Sequence, residues 1–189
     1  MKFLSETTAL ARLSAQRDAF RRRIVSEYEF RAKDCSKCET QGVCCTDEHF
    51  VNVRITRLEA VAIKSVIENL DVRQKESVRE RIKAASENIS SGREFFACPL
   101  YVKGTGCLVH DQAKPMPCIF HACYESRDDL PPQEMLDDAE SVVADLNART
   151  YGVGTLLPIP TALANTLWTS SNAVDDRRAL SSDIASEQK

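Results

Sequence analysis

The eight cysteines of this 189-residue chain constrain its fold more than any other feature, because they fall into two groups of four. Cysteines that serve only as small buried hydrophobic residues would be scattered along the chain. The first group lies within residues 35–45 and the second within residues 98–123. The first group contains Cys35, Cys38, Cys44 and Cys45, and the second contains Cys98, Cys107, Cys118 and Cys123.

Composition and charge narrow the possible partners and the cellular compartment, and so the role of these cysteines. A net charge of −3 gives no reason to expect nucleic acid or an anionic membrane as a partner, and an aromatic content of 6% argues against base stacking. Glu6, Arg12 and Arg17 interrupt the N-terminal apolar residues, so we predict neither a signal peptide nor a membrane span. We therefore predict a cytoplasmic protein, in which thiols stay reduced and metal binding is favoured over disulfides.

The spacing within the groups favours a metal centre. Cys35 and Cys38 are separated by two residues, the spacing at which a tight turn brings two sulfurs to one metal. Cys44 and Cys45 are adjacent, and their diverging side chains favour either a multi-metal centre or one ligand beside one non-ligating thiol. We predict that all eight cysteines are metal ligands, that the cofactor is an iron–sulfur cluster or Zn²⁺, and that the two groups build one shared centre.

Other residues near the cysteines are weaker candidates. Histidine is a common zinc ligand, and His121 is better placed than His49 or His110, although a surface role is more frequent for each. The pair at residues 47–48 could supply a carboxylate oxygen, or it could be a solvated loop end. The Cys35–Cys38 pair could instead be a redox dithiol, but no βαβ pattern surrounds it.

Periodicity predicts a mainly α fold with small β elements (α+β), in which helices flank an irregular cysteine-rich metal centre. We expect helices over about 5–33, 56–70, 71–90, 132–150 and 161–168, a strand near 50–55, a hairpin around 103–106 and an extended segment over 153–160. The predicted division is an N-terminal helix (1–33), a cysteine-cluster metal-binding domain (34–125), a C-terminal helical extension (126–169) and a disordered tail (170–189).

The cysteine pattern resembles that of the YkgJ-type cysteine-cluster family, described as zinc- or iron-chelating proteins. The resemblance covers about residues 30–125 and is carried by Cys35, Cys38, Gly42, Cys44, Cys45, Cys98, Pro99, Gly106, Cys107, Pro115, Cys118 and Cys123. The sequence departs from that pattern where residues 39–41 are inserted, and where His110 and Lys114 replace a tyrosine and an arginine. The resemblance implies metal binding and names no reaction.

Three functions are compatible with these observations. The first is a metal-binding protein that acts as a metal-dependent accessory, carrier or modifying protein. The second is a structural zinc module that presents its helices to a protein partner. The third is a redox or protein-modifying enzyme, although the chain has no nucleotide-binding glycine loop and no Gly-x-Ser-x-Gly elbow.

Overall fold

The first core-forming element is a long N-terminal helix. The computed structural model of the chain describes residues 2–34, 39–46, 53–92 and 97–168, and α1 spans Glu6–Glu27. Ser5 caps α1 by accepting a hydrogen bond from the Thr8 amide at 3.3 Å. The buried stripe of α1 contains Ala9, Leu13, Arg17, Phe20 and Ile24. The prediction of one helix to residue 33 is wrong, because the backbone leaves the helical region at Tyr28 (φ −133°) and continues as a 3-10 turn, Glu29–Arg31.

Two helices separate the cysteine groups, as the sequence predicts. Helix α2 (Arg57–Glu68) begins with a capping box between Thr56 and Glu59, and α3 (Val72–Ser90) is capped by Asp71. Only residues 69–71 join the two helices, so the chain turns back on itself. Their facing residues, which include Ile63, Ile67, Val78 and Ile82, belong to one buried cluster.

The second half of the chain carries the small β elements. Strands β2 (Tyr101–Val102) and β3 (Gly106–Cys107) form the predicted antiparallel hairpin, and the short helix α4 spans Met116–Phe120. Helix α5 (Gln133–Tyr151) ends at Gly152, which has a φ of 86°. Strand β4 (Leu157–Pro158) pairs antiparallel with β1 (Arg54–Ile55), and helix α6 follows over 159–168. These elements confirm the predicted fold class.

Two hydrophobic clusters hold the helices, and α2 contributes to both. The first cluster joins α2 and α3 to the hairpin and α6, while the second joins α1, α4 and α5. Ile63 packs in the first cluster, Leu58 packs in the second, and Ala62 touches both. Because the hairpin lies on the first cluster and α4 lies in the second, the cysteine-bearing segment 98–120 crosses between them.

No helix in the described ranges combines the length and the apolar character that crossing a membrane requires. The Cys35–Cys38 pair, residues 47–52 and the predicted tail at 170–189 lie outside the described residues.

Candidate metal centre

The first cysteine group rests on the hairpin through a glycine. Gly42 has a φ of 82°, and it precedes the 3-10 turn Val43–Cys45 that carries two of the cysteines. A side chain at Gly42 would overlap the ring of Tyr101 in β2. The Tyr101 hydroxyl also donates a hydrogen bond to the carbonyl oxygen of Gln41 at 2.9 Å. This close backbone-to-ring contact fixes the loop of the first group on the strand that follows Cys98.

Two backbone hydrogen bonds attach the segment of the first cysteine group to the second group. The amide of Cys98 donates to the carbonyl oxygen of Cys45 at 2.7 Å. On the other side of the loop, the amide of Lys33 donates to the carbonyl oxygen of Cys123 at 2.8 Å, next to the bridge between Ala32 and Tyr124. The chain is therefore attached to the second group both just before the first group begins and where it ends.

Five thiols from three separate segments act on one another. The pKa of Cys45 is raised chiefly by its side-chain contact with Cys44, then by burial and by the charges of Cys98 and Cys107. Burial raises the pKa of Cys118, and the charges of Cys98 and Cys107 raise it further. Since like charges oppose ionisation, each thiolate in this set disfavours the next. A metal cation brought among them would favour the ionised form of several thiols at once.

Backbone amides of the hairpin partly offset this cost. Burial raises the pKa of Cys98 to about 11, whereas hydrogen bonds from the backbone of Leu100 and Tyr101 oppose that rise. Burial likewise raises the pKa of Cys107, and the backbone of Val109 opposes it. Each of the two cysteines thus begins a separate turn, and the N–H groups of that turn favour its thiolate over its thiol.

The thiols come together without forming a complete ligand set among the described residues. None of the six cysteines there forms a disulfide. No group of three or more Cys, His, Asp or Glu side chains within the described ranges is placed to hold a metal ion. These findings are compatible, because charges interact over several ångströms, whereas a zinc–sulfur bond is about 2.3 Å long. Cys35 and Cys38, the knuckle pair, are outside those ranges.

The histidines and the remaining cysteine occupy distinct positions. The amide of His121 closes α4 by donating to Pro117 at 3.1 Å. The amide of His110 donates to Cys107 at 3.1 Å, and desolvation together with Lys114 lowers the pKa of its imidazole. The carbonyl oxygen of Cys123 accepts a hydrogen bond from the amide of Lys33, just before the first group. His49 and residues 47–48 lie outside the described ranges, so ligand roles for these side chains stay predictions.

Two functional candidates were not predicted from the sequence. Glu59 is 8% exposed, and burial raises the pKa of its carboxyl group despite hydrogen bonds from Thr56 and the Met116 backbone. Its charge acts on Cys118, which lies on the same short helix as Met116. Arg81 of α3 donates from Nε to the carbonyl oxygen of Pro99 at 2.9 Å, beside Cys98.

The position of Arg81 on the helical wheel of α3 could have identified it as a candidate from the sequence. The buried residues of α3 are Val78, Ile82 and Ala85, and Arg81 falls between them at the i+3 and i+4 spacing of the apolar stripe. A charged residue on such a stripe needs a buried partner. Glu59 gives a weaker signal, because its capping role already accounts for it.

No family model, no curated protein and no solved structure matches the chain.

Proposed function

We propose that this chain is a metal-binding protein that holds zinc or an iron–sulfur cluster through cysteines of both groups. It would act in the cytoplasm as a metal-dependent accessory, carrier or modifying protein. The observation that carries the proposal is the hydrogen bond from the Cys98 amide to the Cys45 carbonyl oxygen at 2.7 Å, which brings residues 44–45 to the hairpin that carries Cys107. The influence of Cys98 and Cys107 on the pKa of Cys118 adds α4 to this set. Soft sulfur donors of this kind suit zinc or iron–sulfur chemistry.

The donor set supports this proposal on chemical grounds. Burial and neighbouring thiolates hold the thiols protonated in the absence of a cation, so metal binding would release protons. The hairpin amides near Cys98 and Cys107 would then donate to the sulfurs of the metal-bound centre. Zinc would supply structural cross-linking, and an iron–sulfur cluster would supply one-electron transfer.

The proposed compartment follows from the chemistry of the proposed centre. Metal binding needs free thiols, and glutathione and thioredoxin keep thiols reduced in the cytoplasm. Cys44 and Cys45 contact each other, and Cys98 lies near both Cys45 and Cys107, so an oxidising compartment would favour disulfides over metal binding.

The test is the metal content of protein purified without oxygen. Elemental analysis identifies the metal, and visible charge-transfer absorption distinguishes an iron–sulfur cluster from zinc, whose filled d shell leaves the protein colourless. We expect a stoichiometric content of one of these metals. Protein that remains metal-free after reduction and anaerobic reconstitution with zinc, or with iron and sulfide, would refute the proposal.

Two cysteine variants test whether both groups serve one centre. Cys38→Ser in the first group and Cys118→Ser in the second should each abolish most of the metal content. The control is Ile119→Val, which perturbs the buried face of α4 without removing a donor; Ile119 is 6% exposed. Two independent sites would instead lose metal in halves, one site for each variant.

A further inference from the structure

Arg81 extends toward the cysteine centre, and one nitrogen of its guanidinium group makes no hydrogen bond within the described residues. Its Nε donates to Pro99 at 2.9 Å, and Nη1 donates to the Ser77 hydroxyl at 2.8 Å. The remaining nitrogen, Nη2, is buried and has no hydrogen-bond partner within the described part of the chain. The planar fork is therefore held at two points, one of them the carbonyl oxygen of the residue that follows Cys98.

A buried donor with no partner requires a physical explanation. Leaving a charged N–H group desolvated and unpaired costs more free energy than an ordinary hydrogen bond returns. Arg81 nevertheless lies on the core-facing stripe of α3, where an apolar residue would pack without that cost. The side chain is suited to an anionic acceptor that comes to this place, because its Nε already donates at 2.9 Å to the residue that follows Cys98.

We propose that Arg81 is a positioning residue of the metal–thiolate centre, whose Nη2 donates a hydrogen bond to a sulfur of the loaded centre and whose charge compensates the thiolates. This inference rests on the proposed metal binding. A centre with four or more thiolates carries a net negative charge in a partly buried site. A fixed guanidinium at the Cys98 turn would lower the energy of that charged state without itself becoming a ligand.

The competing explanation is a purely structural one. Arg81 could merely attach α3 to the turn at Pro99, and its loss would then destabilise the protein equally with and without metal. Metal affinity separates the two explanations, because only the proposed role changes the free-energy difference between the loaded and the metal-free protein. The measurement is the metal dissociation constant, determined by competition with a chelator, beside the melting temperature of the metal-free protein.

Arg81→Met should weaken metal binding by roughly ten- to hundredfold, the effect of losing a hydrogen bond to a charged group. Arg81→Lys keeps the charge but not the fork, so we expect an intermediate loss. Arg79→Met is the matched control, since Arg79 lies exposed on the same helix and its replacement changes the net charge equally. Ser77→Ala removes one attachment of the fork and should have a smaller effect than Arg81→Met.

The results for these variants distinguish a failure of the Arg81 role from a failure of the proposed metal binding. If wild-type protein binds no metal, the proposed function fails and this inference fails with it. If wild-type binds metal and Arg81→Met binds it within about twofold of wild-type, only the role of Arg81 is refuted. If Arg81→Met does not fold, Arg81→Lys decides: an affinity equal to that of wild-type refutes the role, and a clear loss absent from Arg79→Met supports it.

Discussion

Replacing Gly42 with alanine tests the contact that seats the first cysteine group on the hairpin. Two penalties act together. Gly42 has a φ of 82°, and a residue with a Cβ pays about 1–2 kcal/mol to adopt that left-handed conformation. The new Cβ would also overlap the Tyr101 ring, whose hydroxyl is held by Gln41, and such overpacking costs about 1–3 kcal/mol. The expected loss of unfolding free energy is therefore about 2–5 kcal/mol.

Gly104→Ala provides the matched control, because Gly104 has a φ of 81° and no described residue other than its chain neighbours comes within 4 Å of the position its Cβ would take. That variant should lose only about 1–2 kcal/mol. Urea denaturation with linear extrapolation measures both variants. For a chain of this size, each kcal/mol corresponds to a shift of about 2–4 °C in melting temperature, so thermal melting gives a second readout.

A double variant isolates the overlap with the ring. Tyr101→Ala removes the atoms that the new side chain would meet, so Gly42→Ala should cost less in that background, with a coupling of about 1 kcal/mol or more. Equal destabilisation of Gly42→Ala and Gly104→Ala, within about 0.5 kcal/mol, would refute the reasoning, since the close approach to Tyr101 would then have no energetic consequence.

Three further variants test the core, a buried carboxyl group and an interhelical contact. Ile63→Ala should lower the unfolding free energy by about 2–5 kcal/mol in urea denaturation, whereas Val153→Ala, at a residue 96% exposed, should change it by less than about 0.5 kcal/mol. Burial raises the pKa of Glu59 above its ordinary value of 4.5, so the folded state holds this proton more tightly than the unfolded chain, and this contribution to stability falls as pH rises through the folded-state pKa. Glu59→Gln should therefore gain stability relative to wild-type as the pH rises above about 5, and a constant difference between their urea midpoints would contradict this. Asn147→Ala leaves the buried amide of Leu58 without its acceptor at 3.1 Å and should cost about 1–3 kcal/mol by the same assay.

Much of the secondary structure could be predicted because its causes are local. Thr56 and Glu59 form the predicted capping box, and α5 ends at the predicted glycine, Gly152. The hairpin of β2 and β3 has its turn where Gly104 suggested it. The end of α1 was harder to predict, because Tyr28 and the residues after it have ordinary helical propensities. The 3-10 turn that follows α1 leads instead to the pairing of Ala32 with Tyr124, a contact between residues far apart in sequence.

The sequence by itself determined which residue types could carry function: eight cysteines in two groups, in a chain with a net charge of −3. Their spacing predicted a metal centre, and the adjacent Cys44 and Cys45 favoured one drawn from both groups. The tertiary structure alone decided that the amide of Cys98 donates a hydrogen bond to the carbonyl oxygen of Cys45. It also placed Arg81 beside the same turn. These contacts join residues far apart in sequence, and they depend on how α2 and α3 pack, which no local pattern specifies.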